Sequence, residues 1–242
     1  MSRKSLTVLL LSVLFAALTT SLGFWQLSRL HGRRAANARA IALRNLPPVD
    51  VGSMGPSGVP ELDNRQVVAT GQFDRGEELV LRGYVYQGAP GVRVVTPLRL
   101  SEGDTALLVV RGFVPSPDAV HADLAGLDEP GEVSVHGIAF TIPTSADSGG
   151  RLDDQGTITW RRLDLGSLRA RLPYPIYDVY LIEARDSVHP PLPMRLEPPP
   201  LDDGPHLSYA IQWFAFAVTG LTVGSLLAFR EGERADGRTG GR

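Results

Sequence analysis

The sequence predicts a membrane α+β protein in which two transmembrane helices form a hairpin around a small antiparallel β-barrel or β-sandwich domain. Three observations predict this class. An apolar run covers residues 6–22, and a second run over residues 207–229 contains no charged residue. At about 1.5 Å rise per residue, the second run is long enough to cross a hydrocarbon core of about 30 Å. Between the two runs, short β-type segments alternate with turn residues.

The first span is predicted at residues 1–27. Arg3 and Lys4 precede its apolar run, a pattern shared by uncleaved anchors and cleaved signal peptides. No clear small-x-small cleavage site follows Leu18, and Trp25 continues the segment as an aromatic residue of the kind found at membrane surfaces. The sequence therefore favours an uncleaved anchor over a signal peptide.

Residues 28–46 are predicted to continue as a basic juxtamembrane helix that ends at Asn45-Leu-Pro-Pro. Two interpretations of its charged face remain open: contact with anionic lipid headgroups, or exposure to water. Five arginines form this face, namely Arg29, Arg33, Arg34, Arg39 and Arg44.

A folded β-domain is predicted at residues 47–189, with a Gly/Pro/Ser linker over residues 51–60. Turn residues separate its candidate strands, and their spacing suits a small barrel or sandwich. Residues 165–171 are predicted to form a short helix that Pro173 ends. The candidate strands are residues 65–70, 79–84, 92–98, 107–113, 133–140, 157–163 and 176–182.

A proline-rich tract at residues 190–205 is predicted to be a stiff linker. The second transmembrane helix follows at residues 206–230, and a C-terminal tail at residues 231–242. Two spans return the chain to its starting side, so both termini lie on one side of the membrane and the β-domain on the other. Charge does not say which side is inside, because the basic residues near the helix ends divide equally. They are Arg3, Lys4, Arg230, Arg234, Arg238 and Arg242 on the terminal side, and Arg29, Arg33, Arg34, Arg39, Arg44 and Arg195 on the other.

Composition removes several classes of function. The net charge is −2 and the pI about 6.2, so no basic field favours nucleic acid. The chain has no cysteine and only scattered methionines, which disfavours thiolate metal sites and copper delivery. It contains no Gly-x-Ser-x-Gly elbow, no phosphate-binding glycine loop and no His-Glu-x-x-His motif. We therefore predict that the protein is not an enzyme.

The start of the second span carries an unusual polar face. His206, Tyr209 and Trp213 follow one another at helical spacing, so their rings share one stripe of the helix. An imidazole nitrogen above aromatic surface suits a flat cofactor. The same three residues also fit an interfacial aromatic belt, and spacing alone favours the belt.

Several motifs, in order, resemble those of the Surf1 family of cytochrome c oxidase assembly proteins. Their sequences are Gly23-Phe-Trp25-Gln26-Leu-Ser-Arg29, Gly71-Gln-Phe73-Asp74, Gly88-Ala-Pro90-Gly91, Val95-Thr96-Pro97-Leu98, Val110-Arg111-Gly112-Phe113-Val114-Pro115 and His206-Leu-Ser-Tyr209-Ala210-Ile-Gln212-Trp213-Phe214. The resemblance covers nearly the whole chain. One departure is Phe113, where the family usually has a tryptophan, so an indole N–H donor is absent.

The resemblance implies a function in assembling the haem-copper oxidase of the cell membrane. It implies the oxidase catalytic subunit and haem a synthase as partners besides the lipid bilayer, and haem a as cofactor, because some bacterial members bind it. In those members the histidine that corresponds to His206 is implicated. The family's domain faces the periplasm or the intermembrane space, so the β-domain is expected to be extracytoplasmic and the termini cytoplasmic.

Topology and resemblance together define a candidate site. In a hairpin, the end of the first span and the start of the second lie at one membrane face, which puts Trp25, Gln26 and Arg29 near the depth of His206, Tyr209 and Trp213. The hypothesis is that His206 ligates haem iron, the aromatic rings pack on the porphyrin and Arg29 pairs with a propionate. Arg29 reaching towards headgroups is the alternative for that residue. The competing function is a membrane scaffold that binds oxidase subunits or haem synthase and never ligates haem.

Overall fold

A computed structural model of the chain describes residues 3–52, 62–144, 148–154, 157–185 and 191–239. Most of the linker predicted at residues 51–60, and the last residues of the predicted tail, 240–242, lie outside these ranges. The chain divides into two compact units. One consists of residues 1–39 and 201–242, and the other of residues 40–200.

The first unit is a pair of long helices, α1 (Arg3–Arg44) and α3 (His206–Thr239). Gln26, near the middle of α1, contacts His206 at the start of α3, whereas Ser12, earlier on α1, lies against Gly224, later on α3. The two helices are therefore antiparallel, as the hairpin prediction requires. Each contains an apolar window long enough to cross a membrane, of which only 17% is buried inside the protein. Many of the leucine, valine and phenylalanine side chains on these helices are exposed.

Small residues line the contact between the two helices. A Cβ atom on Gly23 would lie 2.6 Å from the Phe214 ring, and one on Gly220 would lie 2.5 Å from the Phe15 ring. A Cβ on Gly224 would overlap the Ser12 hydroxyl. These glycines let the helix backbones approach closely, as small residues do where membrane helices pack. Gly220 and Gly224 therefore lie on the face of α3 that packs against α1.

We expect Gly224→Leu to destabilise the helix pair by about 1–3 kcal/mol, because the new side chain must displace Ser12. Thermal unfolding in detergent measures this loss. Gly32→Leu on α1 is the matched control, because no other atom lies within 4 Å of a Cβ there. Both substitutions replace a helical glycine, so propensity alone shifts them equally. Equal melting temperatures for the two variants would contradict the close packing at Gly224.

The second unit is a β-domain whose centre is a closed five-stranded barrel. Its strands are β1 (Val49–Asp50), β2 (Gln66–Phe73), β3 (Leu79–Tyr86), β4 (Ala89–Leu100), β5 (Ala106–Pro115), β6 (Glu132–Thr141), β7 (Leu152–Asp154), β8 (Thr157–Trp160) and β9 (Ile176–Glu183). The barrel order is β2-β6-β9-β5-β4, and pairing of β2 with β4 from Gly71↔Leu100 to Phe73↔Leu98 closes it. The prediction of a small barrel is confirmed.

The prediction of an antiparallel barrel is wrong in one respect. Strands β5 and β9 run parallel, with Leu108 opposite Tyr180, and the short pairs β1–β2 and β3–β8 are parallel as well. A closed ring with an odd number of strands cannot alternate direction throughout. One parallel pair is therefore required by closure, and the β5–β9 pair supplies it.

Each of the candidate strand segments is found, and β1 and β7 are additional. The segment predicted at residues 157–163 ends earlier, at Trp160. Helix α2 (Leu165–Arg171) matches its prediction, because Asp164 caps it by accepting a hydrogen bond of 2.8 Å from the Ser167 N–H. Leu168 on α2 is fully buried.

Two apolar layers hold the β-domain together. The barrel interior contains Leu98, Leu107, Val109 and Leu181 among others. A second cluster packs on the outside of β3, β4, β5 and β9, beneath β8 and α2, with Trp160 and Phe113 as its largest members. The sheet therefore carries a core on both faces, which explains why β5 is buried at every residue except Pro115.

The Arg111-Gly112-Phe113 motif joins the barrel to the chain segment that precedes α3. A Cβ on Gly112 would collide with the Met194 carbonyl, so only glycine admits this segment. The Phe113 N–H donates to Met194 O, and the Met194 N–H donates to Phe113 O, both at 2.8 Å. The Phe113 ring is fully buried and makes a tilted contact with Tyr86. The aromatic residue at this position thus serves the core.

Arg111 belongs to a buried cluster of charges. Its guanidinium lies 2.7 Å from Glu129 and 3.5 Å from Glu78, and it covers the Phe73 ring at 4.8 Å. Arg195 bridges the same Glu129 at 3.0 Å to Glu183 at 3.1 Å. Arg111 and Glu183 are fully buried. The cluster connects the barrel, the loop before β6 and the segment before α3.

Candidate cofactor site at the start of the second helix

His206 begins α3, and its imidazole reaches α1. Its Nδ1 atom lies 2.9 Å from the side-chain oxygen Oε1 of Gln26, which is buried. An amide oxygen only accepts hydrogen bonds, so Nδ1 carries the proton in this pair. The other ring nitrogen, Nε2, then holds a free lone pair. Gln26 therefore sets His206 in the tautomer that a metal ligand needs.

The turn before His206 is tied to α1 by polar contacts. The Asn37 amide donates to the Asp202 carbonyl at 2.8 Å, and Arg33 Nε donates to the same oxygen at 3.2 Å. Arg34 pairs with Asp203 at 2.8 Å. Each charge pair is exposed and contributes little alone, but together these contacts position the turn. Two of the arginines predicted to meet headgroups or water are thus engaged here.

The aromatic residues of the candidate site point in different directions. Trp213 is half-buried and makes an edge-on contact with Phe216 at 5.7 Å. Trp25 is 55% exposed and Tyr209 is 47% exposed, so both rings lie on the outer surface of the helix pair. Arg29 is exposed as well. Of the six predicted residues, the structure joins His206 directly to Gln26 and leaves Trp25, Tyr209 and Arg29 facing outward.

The donor set suits haem better than a bare metal ion. Within the described ranges, no group of three His, Cys, Asp or Glu side chains is placed to hold a metal. Haem iron is already held by the porphyrin and needs only one or two further ligands from the protein. Gly204 lies beside the Nε2 edge of the ring, where a Cβ would be at ordinary contact distance, 3.8 Å from Nε2. An imidazole whose Nδ1 is held by Gln26 is compatible with binding the iron of a haem through Nε2.

A second constellation, on the loop after β5, resembles catalytic chemistry only in composition. His121 Nδ1 lies 2.8 Å from Asp118, but the single Ser116 O–H is directed at Asp118 and the His121 carbonyl, either of which can accept it, rather than at the imidazole. A nucleophilic serine needs a base that takes its proton. Hydrogen bonds from Val120 N–H and the His121 side chain hold the pKa of Asp118 far below its usual range. The arrangement orders the loop.

Comparison with known proteins decides the family. The sequence model of the SURF1 family matches residues 13–218. The chain belongs to the SURF1 family. This confirms the resemblance drawn from the ordered motifs, and it places the His206 and Gln26 segments inside the matched region.

Individual SURF1-family relatives match along most of their length. A SURF1-like protein of Rickettsia felis is 29% identical over 209 residues, which cover 84% of this chain and 88% of the relative. One of Monosiga brevicollis is 28% identical and covers 90% and 86%. An uncharacterized SURF1-like protein of Mycobacterium tuberculosis is 28% identical and covers 82% and 73%. The family match at residues 13–218 includes most of α1, the whole β-domain and the first part of α3.

Proposed function

We propose that this SURF1-family protein is an assembly factor for cytochrome c oxidase that holds haem a at His206 and assists its insertion into the oxidase catalytic subunit. The observation that carries the proposal is the partly buried contact between His206 Nδ1 and Gln26 Oε1, which leaves Nε2 available to bind iron. Family membership supplies the oxidase context. In this function the protein carries haem a and docks on the oxidase, and it catalyses no reaction.

The residues around His206 have distinct tasks in this proposal. His206 supplies one axial nitrogen, and Gln26 orients the ring. Haem a, when bound, contributes the iron that receives the nitrogen. A single neutral imidazole binds more weakly than a full ligand cage, which suits cargo that must be released. Exposed Arg29 pairs with a propionate in this proposal, and half-buried Trp213 offers ring surface, whereas Trp25 and Tyr209 face outward from the helix pair.

The cellular setting is part of the same proposal. We place α1 and α3 across the cell membrane, with the β-domain outside the cytoplasm and both termini inside it. The long apolar windows of α1 and α3 support the two spans. The β-domain then offers a docking surface for the oxidase catalytic subunit, and haem a synthase is the expected source of the cargo.

The alternative function is a scaffold that binds oxidase subunits or haem synthase without ligating haem. The outward direction of Trp25 and Tyr209 favours it, because an interfacial aromatic belt presents its rings to the bilayer surface. In that function the His206–Gln26 contact only fastens the two helices together.

Genetic complementation separates these functions. We expect deletion of the gene to reduce cytochrome c oxidase activity and membrane haem a, and the wild-type gene to restore both. His206→Ala is expected to fail, because the axial nitrogen is lost. His31→Ala is the matched control, because His31 is an exposed histidine on α1, and it is expected to restore activity. Full restoration by His206→Ala would support the scaffold, and unchanged oxidase after deletion would contradict the assembly function itself.

A further inference from the structure

Arg93 on β4 is an arginine without a polar partner. Its guanidinium stacks on the Tyr84 ring at 4.0 Å, and within the part of the chain that the structure describes it makes no hydrogen bond or ion pair. By contrast, Arg75, Arg82, Arg111, Arg169, Arg171 and Arg195 all donate to carboxylates or carbonyls. A half-buried guanidinium held by an aromatic ring keeps all five N–H donors available.

Aromatic side chains extend from Arg93 across neighbouring strands. Tyr180 on β9 stacks with Phe140 on β6 at 5.8 Å, and the Arg44 guanidinium lies 5.8 Å from the centroid of the Phe140 ring. Burial raises the pKa of Tyr180, the Arg93 guanidinium opposes that rise, and Tyr84 and Asp63 add to it. The Asp63 carboxylate already accepts hydrogen bonds from Thr141 and Asn64. Tyr84, Phe140 and Tyr180 all pack against the same buried core cluster, so they lie on one side of the sheet. We call Tyr84, Arg93, Phe140, Tyr180 and Arg44 the Arg93 face.

The polar atoms of the Arg93 face are mainly donors. Across the described ranges, the hydroxyls of Tyr84 and Tyr180 have no hydrogen-bond partner in the protein. Arg44 Nε is buried and also has no partner. A ligand for this face must therefore bring acceptor atoms and apolar surface together. Carboxylate matches the guanidinium fork, and neighbouring apolar side chains match the rings.

We propose that the Arg93 face binds an acidic segment of a partner protein. An Asp or Glu side chain of the partner pairs with Arg93, and its apolar or aromatic neighbours pack on Tyr84 and Tyr180. Tyrosine and arginine are the residue types that dominate binding hot spots. Nucleic acid is disfavoured, because the chain has a net charge of −2. The interaction goes beyond haem handling and does not require His206.

A peptide titration tests the proposal. The probe is a fluorescein-labelled peptide of repeated Glu-Phe-Asp-Leu units, added to the full-length protein in nanodiscs of neutral lipid. We expect saturable binding that is about tenfold weaker for Arg93→Glu and for the Gln/Asn version of the peptide. Raising the salt from about 50 mM to about 300 mM is expected to weaken binding severalfold. An absence of binding, or equal binding by Arg93→Glu, overturns the proposal.

Arg99→Glu is the matched control. Arg99 lies on the same strand and also stacks on a tyrosine, 5.1 Å from the Tyr174 ring. The Tyr174 hydroxyl, however, donates to Asp74 at 3.0 Å, so this second pair has an acceptor already. We expect Arg99→Glu to bind the peptide as the wild type does. An equal loss in both variants would reveal a non-specific charge effect and overturn the proposal.

Two further measurements test whether the charge of Arg93 matters and whether the face binds lipid headgroups instead. Arg93→Gln removes the charge without reversing it, and its peptide affinity is compared only after its circular dichroism spectrum matches the wild type. We expect the same tenfold order of loss, about 1.4 kcal/mol. Vesicles rich in phosphatidylglycerol serve as a competitor. If these vesicles displace the labelled peptide as effectively as excess acidic peptide does, the Arg93 face is a lipid-headgroup site and the proposal is overturned.

Discussion

Replacing Arg111 with leucine is expected to lower the free energy of unfolding of the β-domain by about 3–5 kcal/mol, the range measured when one partner of a buried ion pair is removed. Arg111 has no exposed surface and lies 2.7 Å from Glu129 and 3.5 Å from Glu78. Its guanidinium also donates to the Leu127 carbonyl at 2.6 Å. The substitution leaves Glu78 and Glu129 nearly buried without this cation, so their charges lose the interaction that offsets desolvation.

Urea unfolding of the full-length protein in detergent measures this loss through the fluorescence of Trp160, which is buried in the β-domain core. Arg169→Leu is the control, because Arg169 pairs with Asp178 at the surface, where both side chains are about half exposed. We expect that control to change stability by less than about 1 kcal/mol. A similar small change for Arg111→Leu would show that the buried cluster contributes little.

The pH dependence of the same transition tests which charges matter. Burial raises the pKa of Glu129, but hydrogen bonds and charges from Arg111 and Arg195 outweigh this effect, so the pKa lies below its usual value of 4.5. A carboxyl group with a lowered pKa in the folded state stabilises the protein above its unfolded pKa, and this stability disappears as the pH falls through the folded pKa. We expect the wild type to lose stability below about pH 4.5 more steeply than Arg111→Leu does.

Local sequence signals predicted the elements that local chemistry determines. The Asp164 cap and Pro173 define α2, and turn residues separate the strands, so these boundaries were predicted to within a few residues. Strands β1 and β7 are too short to show a period and exist through pairing with distant strands. The parallel β5–β9 pair follows from ring closure, which no single segment encodes. Arg111 and its partners are far apart in sequence, so their cluster was not predicted.

The sequence predicted the level of the site residues along the helix hairpin, but it did not predict the direction in which their side chains point. Hairpin topology indicated that Gln26 and His206 lie at one level, and the structure joins them at 2.9 Å. Topology alone does not determine how each helix is rotated about its axis. That rotation follows from the inner face formed by Gly23, Gly220 and Gly224, which turns Trp25 and Tyr209 outward. The spacing of small residues on both helices is the signal that would have indicated this direction.

Loss of His206 or of its partner is expected to have graded effects on haem a binding. His206→Ala removes the axial nitrogen and is expected to abolish binding. Gln26→Leu keeps the nitrogen but frees Nδ1, so the ring loses its orientation and its fixed tautomer. Removing such a supporting hydrogen bond from a metal-ligating histidine typically weakens affinity by about tenfold to a hundredfold. If the His206–Gln26 contact only holds the two helices together, the two substitutions are not expected to lower haem a binding in this graded way.

The absorption spectrum of the protein purified from cells that make haem a is the most direct test of this account. We expect a haem a spectrum from the wild type and from His31→Ala, reduced occupancy in Gln26→Leu, and no haem a in His206→Ala. Thermal unfolding of each variant confirms that the helix pair is intact. A haem a spectrum that survives unchanged in His206→Ala, or a wild type that carries no haem a while oxidase assembly is retained, would contradict the assignment of His206 as the haem ligand.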